Sequence, residues 1–205
     1  MKKQLLRSPA AESGRMPGRY SFAADVLLLI EFYISVYFSE FRIVNMELND
    51  TSSYQRCFVC GHRNPYGLHL FFRLDQNTIV ADFQPREEHQ GFPGVVHGGI
   101  VAAVLDEALG RTSLLGNNRE WTMTGRLEVR YRRYVPYGPL LRVRATLETE
   151  RRRALQASGM LTLAEDESIV LAEGHGMFLP LSPDTKDIIL KDYPELRDFF
   201  EQNES

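Results

Sequence analysis

The chain has 205 residues, 43% hydrophobic and 25% charged, which is enough for one ordinary soluble domain with a real core plus extensions. A formal net charge of −3 gives no electrostatic case for nucleic acid or for an anionic membrane surface. Two cysteines, Cys57 and Cys60, are too few for a disulfide framework.

The first 45 residues differ in character from the rest of the chain. Residues 1–20 carry Lys2, Lys3, Arg7, Arg15 and Arg19 among Gly and Pro, and read as disordered. Phe22 to Phe38 is strongly apolar, but Asp25 and Glu31 interrupt it, and a membrane span needs about 20 apolar residues with few charges. The run ends in Phe38-Ser39-Glu40-Phe41, which offers no small-x-small cleavage site. The expectation is an N-terminal extension over 1–45, with Met46 as the working start of a polar leader and a cytoplasmic location.

Cys57-x-x-Cys60 allows a redox pair, half a zinc site or a plain structural turn. A complete zinc site normally takes four ligands, and the nearest further candidates, His62 and His69, fit no familiar zinc-finger spacing. Strands are expected over 68–74 and 78–83, split by the turn-like Asp75-Gln76-Asn77. Residues 85–93 read as loop. A helix is expected within 95–115, ending near Gly110. It is apolar almost all round and should be buried. Its small residues, Gly98, Gly99, Ala102, Ala103 and Ala108, permit close approach by a sheet.

Further strands come after the helix. Leu127, Val129 and Tyr131 alternate with Arg126, Glu128 and Arg130. After the turn at Pro136-Tyr137-Gly138-Pro139, Leu141, Val143, Ala145 and Leu147 alternate with Arg142, Arg144, Thr146 and Glu148. Two more strands, over 156–163 and 169–179, join around Glu165-Asp166-Glu167. Ser182-Pro183-Asp184 reads as the start of a C-terminal helix, whose apolar set from Ile188 to Phe200 packs on its own domain or on another subunit. Two strands, one helix and four strands, with no repeated helical crossovers, predict an α+β domain. An antiparallel sheet wraps one long central helix over 46–181, and a helical tail occupies 182–205.

The run from His97 to Gly110 carries the chemistry. The amides of Gly98 and Gly99 lie at a helix start, where free N–H groups favour negative charge, so they form a candidate oxyanion site for an acyl group. Asp106 sits among Val104, Leu105, Ala108 and Leu109, and a partly desolvated carboxylate there is suited to act as general base or nucleophile. Taken singly, His-Gly-Gly before a helix is an ordinary loop and Asp106-Glu107 an ordinary solvated pair. Nine residues of helix rise about 13–14 Å and turn about 900°, so His97 and Asp106 leave opposite faces. If they serve one site, two antiparallel helices from two chains must supply it, and the protein is at least a dimer.

His97-Gly98-Gly99 followed by Asp106-Glu107-x-x-Gly110 resembles the hotdog-fold acyl-CoA thioesterases of the PaaI-like (phenylacetate-pathway) type. The resemblance extends to Cys57-Phe58-Val59-Cys60-Gly61, Asn64-Pro65-x-Gly67-Leu68, the run from His89 to Val96, and Val129-Arg130-Tyr131-Arg132-Arg133-x-Val135-Pro136-x-Gly138, covering about residues 55–180. It implies a hotdog fold and hydrolysis of acyl-CoA to free acid and coenzyme A. Asp106 falls at the acidic nucleophile or base, with the neighbouring Glu107 ranked below it. Gly98 falls at the N–H that polarises the thioester carbonyl, and His97 at a histidine that shapes that site. Thr124 falls at a Ser or Thr that positions water. Gly99, Gln90 and Gly91 fall at the substrate. Many relatives carry Asn six residues before the histidine, where this chain has Gly91, and Gln90 or His89 is then the candidate polar contact. No metal and no bound cofactor are implied, coenzyme A being part of the substrate. A homodimer or homotetramer is implied, with no nucleic-acid or membrane partner. Arginines at 130–133 and 151–153 are candidates for the coenzyme A phosphates, or simply solvated strand edges. Phe92, Trp121, Met123 and Tyr134 are candidates for an acyl tunnel, or simply core. The competing reading is a hotdog module that binds acyl-CoA without hydrolysing it; a hydratase is a third, though its usual catalytic pairing is not evident.

Overall fold

The computed structural model describes residues 56–116, 121–151, 153–194 and 197. The expected extension over 1–45, the start at Met46 and most of the tail beyond residue 194 lie outside the described residues.

The described elements are β1 (Phe72–Asp75), β2 (Thr78–Phe83), β3 (Gln90–Phe92), β4 (Val95–Val96), α1 (Gly98–Gly110), β5 (Thr122–Tyr131), β6 (Leu141–Arg151), β7 (Ala154–Leu163), β8 (Val170–Pro180) and α2 (Pro183–Asp192). Six strands form one sheet in the order β1-β2-β6-β7-β8-β5, every pairing antiparallel, and β3-β4 is a separate short hairpin. The long helix α1 lies across β2 and β5–β8, which is the hotdog arrangement.

Period two decides which side of the sheet meets the helix. Ile79, Ala81 and Phe83 of β2 and Leu141, Val143 and Ala145 of β6 are fully or almost fully buried. The intervening Arg142 and Arg144 turn to the outer face and build an ion network. Arg142 bonds Asp82 at 2.6 Å and Glu167 at 2.9 Å, and Arg144 bonds Glu167 at 2.6 Å and Asp75 at 2.7 Å. On α1, Val101, Val104, Leu105, Ala108 and Leu109 are buried, a stripe at helical spacing. At Gly174 of β8 a Cβ would stand 3.1 Å from Leu109 Cδ1, so glycine there lets the helix lie close to the sheet.

The structure corrects several boundaries. The first strand begins only at Phe72, because His69 adopts a left-handed φ of 56° and its Nε2 bonds the Asn64 carbonyl at 2.6 Å. The loop expected over 85–93 contains a 3-10 turn at Glu87–His89 and the strand β3. The helix falls within the expected span and ends at Gly110 as expected, preceded by β4 and followed by a 3-10 turn at Arg111–Leu115. It is not buried all round: Ile100, Ala102, Ala103, Asp106 and Glu107 are half-buried, because the sheet covers one side only. In α2, Ser182 Oγ accepts the Thr185 N–H at 3.2 Å and Pro183 occupies the first turn. None of its residues is buried. No described helix is long and apolar enough to cross a membrane.

Candidate active site

Helix α1 begins where it does because His97 is extended (φ −61°, ψ 135°) and its Nδ1 accepts the Gly99 N–H at 2.9 Å. That bond puts the ring proton on Nε2 and uses the Gly99 amide. Gly98 is the first helical residue, and an amide there has no acceptor within its own helix. Its carbonyl accepts from Tyr131 Oη at 2.7 Å, which ties the helix start to the end of β5. Gly91 lies against this corner: a Cβ on it would come 3.1 Å from both Cα and Cδ2 of His97. A larger residue there would press on the histidine. Gln90 is engaged by its own loop, its Nε2 donating to the Glu87 carbonyl at 3.0 Å and its Oε1 accepting the Gly94 N–H at 2.6 Å. His89 is buried, and its Nδ1 accepts the Arg86 N–H at 3.0 Å.

Asp106 is half-buried two turns further along α1. Burial pushes its carboxyl above the usual carboxylate range; a hydrogen bond from Thr124 opposes this and the charge of Glu107 adds to it. Thr124 Oγ1 donates to Asp106 Oδ1 at 2.9 Å, so its hydroxyl holds the carboxylate itself. The register of β5 slips between Thr124 and Arg126, and this irregularity places Thr124 opposite the helix.

The two ends of α1 open into different cavities. One of about 670 Å³ is lined by Gly91, Phe92, His97, Gly98, Tyr131, Arg132, Arg133 and Tyr134, among others. One of about 430 Å³ is lined by Asp106, Glu107, Leu114, Trp121, Met123, Thr124 and Phe178, among others. The suspected acyl-tunnel residues therefore divide, Phe92 and Tyr134 with Gly98, Trp121 and Met123 with Asp106. Arg132 bonds Glu173 at 2.7 Å, whereas Arg151 and Arg153 belong to the β6–β7 turn, away from both linings. Arg152 lies outside the described residues.

Beside Asp106, Glu107 gathers a cluster that spacing alone missed. Its carboxylate oxygens lie 3.7 Å from Cys57 Sγ and 3.5 Å from Cys60 Sγ, and 2.9 Å from the Arg111 guanidinium. Arg111 also donates to Cys60 Sγ at 3.0 Å and stacks on the Phe72 ring. The hydrogen bond with Cys60 holds the Cys57 thiol down at about 7, against the opposing effect of burial, and the same bond together with burial pushes Cys60 up. A carboxylate 47 residues from Cys60 has no sequence signal linking it to the thiols. Only the fold brings it there.

Residues 93–169 match the family model described as Thioesterase superfamily. The human acyl-coenzyme A thioesterase THEM5 is 30% identical over 139 residues, covering 67% of this chain and 54% of its own. The bovine acyl-coenzyme A thioesterase THEM4 is 30% identical over 149 residues, covering 72% of this chain and 60% of its own. The chain thus spans just over half the length of these curated relatives. A solved structure described as protein RHA08564, a thioesterase superfamily protein, shares the fold with a TM-score of 0.57 at 22% identity, over 80% of this chain and 86% of that one. The hotdog sheet and its long helix agree with the family match, which covers α1 and the strands β5–β7, so residues 93–169 are a thioesterase-superfamily segment.

Proposed function

We propose that this chain hydrolyses acyl-CoA thioesters. The observation that carries the reading is Asp106, half-buried with a raised carboxyl affinity for protons and bonded by Thr124 in an apolar-walled cavity. The names of the THEM5 and THEM4 relatives support the same reaction class.

Asp106 draws a proton from water, which attacks the thioester carbonyl, or attacks that carbon itself. The carbonyl oxygen gains charge and takes the Gly98 N–H, with His97 Nε2–H beside it. The tetrahedral adduct collapses, the C–S bond breaks, and coenzyme A leaves as the thiolate. Where Asp106 is the nucleophile, water then cleaves the acyl-enzyme anhydride. No step uses a metal or a bound cofactor.

Gly98 and Asp106 stand eight residues apart, about 12 Å along one helix, and line different cavities, so one chain does not bring them to one carbonyl. The reading therefore carries a homodimer in which Gly98 of one protomer faces Asp106 of its partner. It assigns the coenzyme A phosphates to the Arg132–Arg133 side, because those arginines line the Gly98 cavity and the 151–153 group does not.

Release of free thiol from a panel of short, long and aromatic acyl-CoAs tests the proposal. Hydrolysis is expected from the wild-type chain, with kcat/KM lowered at least about a hundredfold in Asp106→Asn, the low end for loss of a general base. Full activity in that variant removes Asp106 from the mechanism. Saturable acyl-CoA binding with no thiol release from the wild type would make the chain a binding module.

A further inference from the structure

The cluster of Cys57, Cys60 and Glu107 has no part in the reaction above. Among the described residues it is the one group whose ligand atoms converge, all within 4.8 Å of one another. A tetrahedral zinc ion with Zn–S of about 2.3 Å and Zn–O of about 2.0–2.2 Å requires an S···O edge of about 3.6 Å. The observed edges are 3.7 Å from Cys57 Sγ to Glu107 Oε2 and 3.5 Å from Cys60 Sγ to Oε1, one on each carboxylate oxygen, so the carboxylate spans the two thiols and a small rotation brings one oxygen to a shared ion.

Three further features point the same way. The turn at 57–61 is closed by the Gly61 N–H on the Cys57 carbonyl at 3.0 Å, and the Val59 N–H points at Cys57 Sγ at 3.4 Å, an amide placed to support a thiolate. Arg111 reaches both Cys60 Sγ and Glu107, the outer position from which a partner orients metal ligands. Charge also balances: two thiolates and a carboxylate against one guanidinium leave a deficit that a divalent cation cancels. The third ligand is Glu107, whereas His62 is exposed and His69 is bonded to the Asn64 carbonyl.

We propose that Cys57, Cys60 and Glu107 form a binding site for a thiophilic divalent cation of the zinc type, with water in the fourth position. Binding replaces the two thiol protons and clips the 57–61 turn to α1, one residue from Asp106. The site is a structural clip, since metal binding to preorganised ligands adds directly to folding stability.

The test uses the untagged full chain, reduced with a non-thiol reductant, stripped with a chelator and titrated with Co²⁺. The expected result is one equivalent bound, with a near-ultraviolet thiolate-to-cobalt charge-transfer band and visible bands of tetrahedral cobalt that bleach when Zn²⁺ is added. Added Zn²⁺ should also raise Tm. Glu107→Gln should weaken the Co²⁺ affinity at least about tenfold, Cys57→Ser should remove most of the charge-transfer band, and His62→Ala should leave it unchanged. Far-UV circular dichroism identifies any variant that fails to fold, and the wild-type titration stands without the variants. A folded, reduced wild type with no charge-transfer band overturns the proposal, as does a band that persists in the Cys57→Ser/Cys60→Ser double variant. An intramolecular disulfide that re-forms in place of metal binding also overturns it. None of these readouts depends on whether the chain hydrolyses thioesters.

Discussion

At the scale of single residues, Asp106 and Thr124 form the most informative pair. Burial raises the carboxyl's proton affinity above its ordinary value of 3.8, and the Thr124 hydroxyl lowers it. Thr124→Val keeps the shape and removes the bond, so the acid limb of the kcat/KM profile should move to higher pH while the plateau is largely retained. An unmoved limb would mean that Asp106 ionisation does not set the rate. The stability consequence has a definite sign. A carboxyl whose folded value is raised binds protons more tightly in the native state, so stability falls as pH rises from 3.8 through the folded value. Asp106→Asn should therefore melt higher than the wild type at pH 7, and thermal melts across the acid range should find the gain shrinking toward 3.8. Loss of activity with a gain of stability separates a functional carboxylate from a structural one. Gly91 reads differently in the structure than in the sequence. Any larger residue there would place a Cβ 3.1 Å from His97 Cα and Cδ2 and press on the histidine.

At the scale of elements, the outer face of the sheet is held by charge. Arg144 and Arg142 hold the Glu167 carboxyl down at about 2, against an ordinary value of 4.5. A depressed carboxyl contributes stability that is fully present above 4.5 and lost as pH falls toward 2. Glu167→Gln should therefore flatten the fall of Tm over that interval. The side chain is 36% exposed, so solvent screens the pair and the effect should be smaller than the shift alone implies. An equally steep fall in the variant would assign the acid sensitivity elsewhere. The strands that carry this network were legible because one face packs on α1 and the other is polar, which writes period two into Leu141–Leu147 and its arginines. The β3–β4 hairpin was not legible: three residues and two residues are too short for a period, and Gly and Pro around them read as loop. The start of α1 depends on one bond from the His97 ring, and the left-handed turn at His69 depends on a bond to Asn64. Both are local geometries that composition does not announce. The identity of the helix motif was legible, but the role of Glu107 rested on contacts with thiols about fifty residues away.

At the scale of the whole molecule, the position of β5 matters most. Among the described residues it is a ten-residue edge strand bonded only to β8, and Met123, Thr124, Arg126, Glu128, Arg130 and Tyr131 are exposed along it. Long uncovered edges are templates for pairing with another chain. β5 also carries both Thr124, which holds Asp106, and Tyr131, which holds Gly98. Pairing of two copies along this strand would bring the two ends of α1 together across the interface. Complementation tests whether the site is shared. Gly98→Pro deletes the relevant N–H, and proline suits the first helical position behind an extended His97. A Cβ at this position would stand 3.3 Å from the Tyr131 hydroxyl, the far end of a side chain. Alone, Gly98→Pro and Asp106→Asn should each be nearly inactive. Unfolded together and refolded as a mixture, they form heterodimers in which one of the two sites has both an intact Gly98 and an intact Asp106. Random pairing of the two variants then restores about a quarter of wild-type activity per chain if each site spans two protomers. If each site lies within one chain, every site carries a lesion and the mixture stays at the level of its parents. Light scattering on the same samples should find the dimer or a multiple of it, and a monomeric mixture with restored activity would sink the shared-site geometry.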